Sequence, residues 1–230
     1  MLRIDTERKI AFVEGFPLIH LFTLRSFGNM AVKYGLEAKD HQKKVWSYLE
    51  EMGLRKENWI HLIPSKDPGK IVLSPNKGTD VFANAVIVFQ QGVVLSLFAG
   101  DCYPIFVTDK THSFLALIHG SEAALRRGRI VQRTIKDTSF ASGARPDDLV
   151  VGIGPGIKKC CYKRGLKRVD LLGMILEQMG EIPEDNIFIA GVCTACSKWE
   201  NDYLFFSHRR SKKTGEPEGR FGAFVSLKEP

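Results

Sequence analysis

Short apolar runs, separated by glycine, proline and charged residues, occur along the whole chain. The runs in its middle are rich in β-branched residues and almost continuous, which is typical of strands buried on both faces. They predict strands at residues 85–89, 93–99, 104–108, 114–118 and 149–153. Further strands are predicted at residues 9–13, 18–24, 59–63, 70–73, 186–190, 203–206 and 220–225.

Helical spacing of apolar residues is found in three segments. Residues 40–52 carry Val45, Leu49 and Met52 at this spacing, and helices are also predicted at residues 122–137, with a basic exposed face, and 170–179. Strands and helices alternate irregularly, which predicts a mixed α/β sheet protein rather than a doubly wound one. With no internal repeat or long linker, we expect one domain over residues 1–230.

The composition is that of a globular protein, with 44% hydrophobic and 26% charged residues. No apolar run reaches the roughly 20 residues of a membrane span, and the N-terminus lacks the apolar block of a signal peptide. Five cysteines, two of them adjacent, favour reduced thiols over disulfides. We therefore expect a cytoplasmic protein without a membrane partner.

The formal net charge of +7 favours anionic partners such as phosphate-bearing ligands. Nucleic acid is not expected as a partner, because the basic residues show neither an interleaved aromatic pattern nor a known binding module.

Two residues with reactive side chains follow predicted buried strands. Cys102 follows the apolar run that ends at Ala99, and His119 follows the run that ends at Ile118. Reactive groups are often placed where a rigid strand meets an accessible loop. The imidazole can lower the thiol pKa to make a nucleophile, or both groups can bind zinc. A buried cysteine beside a hydrogen-bonded core histidine is an equally good interpretation of the residues alone.

Three sequence blocks resemble the laccase-domain (YfiH-type) family. Residues 100–105, Gly-Asp-Cys-Tyr-Pro-Ile, are similar to its Ala-Asp-Cys-x-Pro-[Ile/Val] motif. Residues 154–162 match its Gly-Pro-x-Ile-x-x-Cys-Cys-Tyr motif. Residues 205–210, followed by Thr-Gly at 214–215 and Gly-Arg-Phe at 219–221, resemble its Phe-Phe-Ser-Tyr-Arg…Thr-Gly-Arg segment. Because order and spacing agree along nearly the whole chain, the chain is identified as a member of the family.

The resemblance implies a single α/β domain similar to putative cysteine hydrolases. It also implies an enzyme of a family first named for polyphenol oxidation and now associated with zinc-dependent purine nucleoside phosphorolysis (a transferase reaction) and adenosine deamination. Purine nucleosides and phosphate are then the expected partners, and zinc the expected cofactor. By position, Cys102 and His119 are the implied metal ligands and catalytic residues, together with Arg209, while Asp101 and Ser207 are implied to bind substrate.

The metal motifs of the family are only partly retained. Residues 64–69, Pro-Ser-Lys-Asp-Pro-Gly, replace its Gln-x-His-Gly motif and contain no histidine. In the His-Ala-Gly-Trp-Arg-Gly motif, only His119 survives. Catalytic zinc usually has three protein ligands, so His61, Asp67 or another group has to complete the set. Two alternatives are a metal-free hydrolase with Cys102 as nucleophile and His119 as base, and a non-catalytic descendant that binds an anionic ligand.

The remaining cysteines suggest a four-thiolate zinc site only superficially. Cys193 and Cys196 form a Cys-x-x-Cys pair, whereas Cys160 and Cys161 are adjacent. We expect adjacent cysteines to be poorer tetrahedral ligands than a second Cys-x-x-Cys pair. The sequence therefore predicts a structural role without metal for Cys160 and Cys161.

Overall fold

The computed structural model describes residues 1–228, so the expected domain extends two residues beyond the described part. In chain order the strands are β1 (Leu2–Asp5), β2 (Ile10–Val13), β3 (His20–Thr23), β4 (Trp59–Pro64), β5 (Ile71–Leu73), β6 (Thr79–Ala83), β7 (Ala85–Val88), β8 (Val94–Ala99), β9 (Tyr103–Asp109), β10 (Leu115–Gly120), β11 (Leu149–Ile153), β12 (Lys163–Arg164), β13 (Lys167–Arg168), β14 (Ile187–Ile189), β15 (Lys198–Trp199), β16 (Asp202–Tyr203) and β17 (Phe221–Ser226).

The α-helices are α1 (Ala38–Glu51), α2 (Glu122–Arg126), α3 (Ile130–Ser142), α4 (Leu171–Met179) and α5 (His208–Thr214). Within residues 1–228, no helix has both the length and the apolar character that a membrane crossing requires.

Two large sheets contain most of the strands. The first has the order β1-β2-β3-β17-β8-β4-β6 and is antiparallel except around β4, which runs parallel to β8 and β6. The second has the order β14-β11-β9-β10-β7-β5, with parallel pairs only at its two edges. These mixed strand directions confirm the predicted mixed α/β class.

The two sheets stack face to face, and helices cover both outer faces. Phe22 of the first sheet and Phe106 of the second stack at a ring-centroid distance of 5.6 Å in the core between the sheets. On the outer face of the first sheet, Trp46 and Leu49 of α1 pack against Phe224. Helices α2, α3 and α4 cover the outer face of the second sheet. Since the central strands of both sheets, such as β8, β9 and β10, are buried on both sides, they have the continuous apolar sequences noted above.

The single helix predicted at residues 122–137 is wrong, because two helices occupy this segment. Helix α2 ends at Arg126, and Arg129 adopts a left-handed backbone with φ of 43° before α3 begins. A left-handed residue reverses the local helical path, so one continuous helix cannot form.

The strand predicted at residues 203–206 is also largely wrong, since only Asp202–Tyr203 pair as a short strand. Soon after this strand the chain enters α5, which Ser207 caps: the Ser207 hydroxyl accepts a hydrogen bond of 3.1 Å from the amide of Arg210.

Candidate functional site

Cys102 and His119 lie at the same end of the second sheet. His119 pairs with Pro104 and Gly120 with Tyr103, so Cys102, directly before β9, lies beside the end of β10. Side chains alternate along strands, and Phe106 and Leu117 point into the core between the sheets. By the same alternation, Cys102 and His119 lie on the face that points toward the first sheet.

A single asparagine holds the His119 ring. The His119 Nδ1–H donates to Asn84 Oδ1 at 3.0 Å. The orientation of the amide is fixed because Asn84 Nδ2 donates to the carbonyls of Ser65 and Asp67, at 3.1 and 2.6 Å. His119 Nε2 is therefore left without a proton and can accept a hydrogen bond. Burial lowers the pKa of His119 to about 4, so the imidazole is neutral at neutral pH.

Asn84 also brings the turn at residues 65–70 next to His119. Besides its side-chain bonds, the Asn84 amide donates to Lys70 O at 2.8 Å, and its carbonyl accepts from the His119 amide at 2.8 Å. This turn replaces the Gln-x-His-Gly motif and meets Asn84 through its backbone carbonyls. Sequence reasoning missed Asn84, because an asparagine between two strands carries no signal of such a role.

The Cys102 thiol is protonated at neutral pH. The side chain is only partly exposed. Burial, assisted by the negative charge of Asp101, raises the pKa of Cys102 to about 12 against the opposing charges of Arg220 and Arg209. A thiol that is not ionised is a poor nucleophile.

Asp101 connects two of the sequence blocks that carry the family resemblance. Its Oδ1 accepts hydrogen bonds from the hydroxyls of Thr194 and Ser207, at 2.9 and 2.7 Å. Its Oδ2 accepts from the amide of Arg209 at 2.8 Å. Burial raises the pKa of Asp101 although these three hydrogen bonds oppose the shift. The structure thus brings Asp101, Ser207 and Arg209 together directly beside Cys102.

The guanidinium group of Arg209 is exposed and lies 4.7 Å from the centre of the Tyr162 ring. The Tyr162 hydroxyl donates to Glu122, whose carboxylate also pairs with Arg126 at 3.0 Å and Arg164 at 2.8 Å. Because Glu122 is occupied by these partners, and Arg209 has no acidic partner among the described residues, the charge of Arg209 is available to an anion.

Arg220 is a second cation near Cys102 that sequence reasoning did not assign to the site. Its side chain approaches Gly100, where a Cβ would lie 3.1 Å from Arg220 Cδ. Its charge is paired with Glu218 at 2.9 Å, and its guanidinium stacks on Tyr34. Its place in the Gly-Arg-Phe block was the available signal.

The residues proposed from the sequence as a third metal ligand do not join Cys102 and His119. His61 lies on the face of β4 opposite to Leu62, with Nδ1 2.8 Å from Ser96 Oγ. Asp67 Oδ1 accepts from the amide of Gly69 at 3.0 Å. Within residues 1–228, the only group of three or more histidine, cysteine or acidic side chains close enough to share an ion consists of four other cysteines. The three-ligand zinc site of the family therefore does not fit the residues around Cys102 and His119.

The comparison with known proteins agrees with this architecture. Residues 20–170 match the family model described as multi-copper polyphenol oxidoreductase laccase. The chain belongs to this laccase family. A blue-copper centre needs two histidines and a cysteine together, a group that the described residues do not form.

Relatives within the laccase family cover most of the chain. A purine nucleoside phosphorylase of Clostridium acetobutylicum is 26% identical over 205 residues, which is 80% of each chain. The purine nucleoside phosphorylase YlmD of Geobacillus stearothermophilus is 25% identical over 237 residues, covering 87% of this chain and 84% of that one. The crystal structure of the hypothetical protein YfiH of Bacillus licheniformis superposes with a TM-score of 0.82 at 19% identity, over 99% of both chains. The fold expected from the resemblance is thereby confirmed.

Proposed function

We propose that this laccase-family protein is a purine nucleoside phosphorylase that uses the site around Cys102, His119 and Arg209. The observation that carries the proposal is the Asp101 network, which fixes Ser207 and the amide of Arg209 next to Cys102. Support comes from relatives named purine nucleoside phosphorylase that align with most of the chain.

Each residue has a role that follows from its charge state. In phosphorolysis the bond between ribose C1′ and the purine nitrogen breaks, an oxygen of hydrogen phosphate bonds to C1′, and the proton that the phosphate loses ends on the leaving base. Arg209 offers a planar guanidinium that suits bidentate contact with phosphate. The neutral Cys102 thiol is a hydrogen-bond donor toward the base, and His119 Nε2 accepts a hydrogen bond from a ribose hydroxyl. Asp101 positions Arg209 and Ser207 rather than reacting itself.

The zinc implied by the resemblance has only two of its ligands here, Cys102 and His119, so no step of this proposal depends on it. Adenosine deamination requires an activated water, for which these residues provide no three-ligand zinc site. Deamination therefore stays a prediction of the resemblance, which the same assay measures as inosine formed from adenosine.

The protonation states of Cys102 and His119 do not favour a metal-free hydrolase with Cys102 as nucleophile. Such an enzyme needs a thiolate activated by its base. Burial raises the pKa of Cys102 and lowers the pKa of His119, so both groups are neutral at neutral pH.

The decisive assay incubates the protein with inosine or adenosine, with and without inorganic phosphate, and measures free base and ribose phosphate by chromatography. Arg209→Ala should lower kcat/KM by roughly 10- to 100-fold, mainly through KM for phosphate, since a hydrogen bond to a charged group contributes about 1.5–3 kcal/mol. The matched control is Arg145→Ala, which removes an exposed arginine before β11, at the opposite end of the second sheet, and should leave kcat/KM unchanged.

Base release that does not depend on phosphate would contradict the proposal and favour hydrolysis. No release at all, combined with salt-sensitive binding of nucleotide phosphate, would identify the non-catalytic binding protein instead.

A further inference from the structure

Four cysteines on two loops lie close together in a cluster that includes neither Cys102 nor His119. Cys160 and Cys161 follow Lys158, and Cys193 and Cys196 follow β14. The four Sγ atoms all lie within 4.8 Å of one another. Cys160 Sγ is 3.7 Å from the Sγ atoms of both Cys161 and Cys196, and all four thiols are free.

These separations fit a tetrahedral metal site. A zinc–sulfur bond of about 2.3 Å gives sulfur–sulfur edges of about 3.8 Å in a regular tetrahedron, whereas a disulfide needs about 2.05 Å. The observed 3.7 Å distances match the tetrahedral edge. Soft thiolates arranged in this way select zinc over hard cations.

The expectation that adjacent cysteines are poor ligands is not met by this geometry. The amides of Cys161 and Tyr162 both donate to the carbonyl of Lys158, at 2.9 and 3.0 Å, which forms a tight turn. Because of this turn, Cys160 and Cys161 reach the same point although they are neighbours in sequence. A parallel bridge between Gly156 and Cys193 then brings the Cys-x-x-Cys loop alongside.

The surroundings of the cluster suit sulfur that carries negative charge. The amide of Lys158 donates to Cys193 Sγ at 3.4 Å, as in many zinc sites where backbone groups support the ligands. Arg168 donates to the carbonyl of Cys160 at 2.9 Å and so places a positive charge beside the cluster.

Tyr103 provides a second, independent observation. Its side chain is 2% exposed, and its hydroxyl has no hydrogen-bond partner among the described residues. Tyr103 and Cys193 belong to the same buried cluster, and the Tyr103 ring packs against Gly156, which forms the bridge to Cys193. A buried donor without a partner normally costs free energy, and a metal-bound thiolate is a better acceptor than a neutral thiol.

We propose that Cys160, Cys161, Cys193 and Cys196 bind one zinc ion in a structural site distinct from Cys102 and His119. Four protein ligands leave no open position for water, so the site is structural rather than catalytic. The ion joins two loops. One loop carries Tyr162, whose ring contacts the Arg209 guanidinium, and the other carries Thr194, whose hydroxyl donates to Asp101.

The test measures zinc per chain in protein purified without tag or chelator. The parent protein should contain one zinc ion, and Cys160→Ser and Cys196→Ser, which replace exposed thiols, should each lose nearly all of it. The matched control is Cys102→Ala, which removes a thiol of the other site and should keep the ion.

A second measurement needs no variant of the four cysteines. Cobalt substituted into the parent protein should give the strong thiolate-to-cobalt absorption of a tetrahedral four-sulfur site, and Cys102→Ala should leave that spectrum unchanged. The same zinc content in Cys196→Ser as in the parent would overturn the proposal. So would loss of zinc in Cys102→Ala alone, or metal-free parent protein whose mass is two hydrogens low, which indicates a disulfide. None of these readings depends on phosphorolysis.

Discussion

At the scale of single residues, the charge state of His119 follows from its burial. The side chain is 8% exposed and no acidic group compensates for a proton on the ring, so the charged form is disfavoured. His61, on the other sheet, behaves alike, and its pKa is also lowered to about 4 by burial. The protonation of His119 and of His61 therefore makes the free energy of unfolding depend on pH.

Stability should fall as the pH is lowered from about 6.5 toward about 4. An unfolded histidine has a pKa of about 6.5 and binds a proton there, whereas folded His119 does not until about pH 4. By this linkage His119 accounts for at most about 3 kcal/mol of the decrease in the free energy of unfolding. His119→Gln should flatten the pH dependence by about one proton, as measured by urea denaturation at a series of pH values.

The control is a measurement at about pH 8, where histidines are neutral in both states and the variant differs only by its lost contacts. Equal slopes for the parent and His119→Gln between about pH 6.5 and 4 would contradict the assigned protonation state.

Residues of the candidate site differ in how visible they are in the sequence. Asp101, Cys102, Ser207 and Arg209 stand in recognisable blocks, but only the structure shows that Asp101 bonds to Ser207 and Arg209 across more than 100 residues of sequence. Asn84 could not be predicted, because its role depends on hydrogen bonds to Ser65 and His119, which are both distant from it in sequence. The approach of the four cysteines could not be predicted either, because it depends on how two loops distant in sequence meet.

At the scale of elements, the junction between α2 and α3 is fixed by a close backbone contact. A Cβ atom on Gly128 would collide with the carbonyl oxygen of Pro68 and with that of Ala124. The junction thus packs directly on the turn at residues 65–70, which Asn84 connects to His119.

Gly128→Ala should therefore lower the free energy of unfolding by about 1–3 kcal/mol, the usual cost of overpacking a site whose neighbours cannot move. Thermal or urea denaturation measures the change. Gly173→Ala, in the first turn of α4, is the matched control, because its Cβ meets only the flexible Asp170 carboxyl group at 3.1 Å and alanine has the higher helix propensity. If Gly128→Ala and Gly173→Ala changed the free energy of unfolding equally, the close contact at Gly128 would be absent.

Prediction of elements succeeded where burial determines the sequence. Strands β8, β10 and β11 are covered on both faces, so their apolar runs are continuous and easily recognised. Strand β6 exposes three of its five residues, and α5 consists mainly of basic and polar residues. Neither has a clear apolar pattern, and both were missed.

At the scale of the whole molecule, the core between the sheets holds the two halves of the structure together. Phe106 lies in the middle of the second sheet and contacts three rings, those of Phe16, His20 and Phe22. Within residues 1–228, no strand of the second sheet pairs with the first, so such contacts join the sheets.

Phe106→Ala should cost about 3–5 kcal/mol of unfolding free energy, through lost burial and the cavity left between the sheets. Phe140→Ala is the matched control: this phenylalanine of α3 is 94% exposed, and its loss should change stability by less than about 0.5 kcal/mol. Chemical denaturation of both variants measures the difference, and a similar small effect for both would argue against a stacked pair of sheets.

The class of the fold could be predicted from the sequence, but its strand order could not. Continuous apolar runs indicate the strands that are buried on both faces, but not the short or exposed ones such as β6. Strand pairing depends on long-range contacts, such as β17 with β3 and β8, for which a single sequence carries no local signal.

The place of β17 in the centre of the first sheet has a consequence for biosynthesis. Residues 221–226 separate β3 from β8, although the ribosome makes them long after both. Until they emerge, the inner edges of β3 and β8 have unpaired backbone groups and invite wrong pairing with other chains. The nascent protein therefore cannot complete its first sheet stepwise from the N-terminus, and this half of the molecule has to fold late, once synthesis has passed β17.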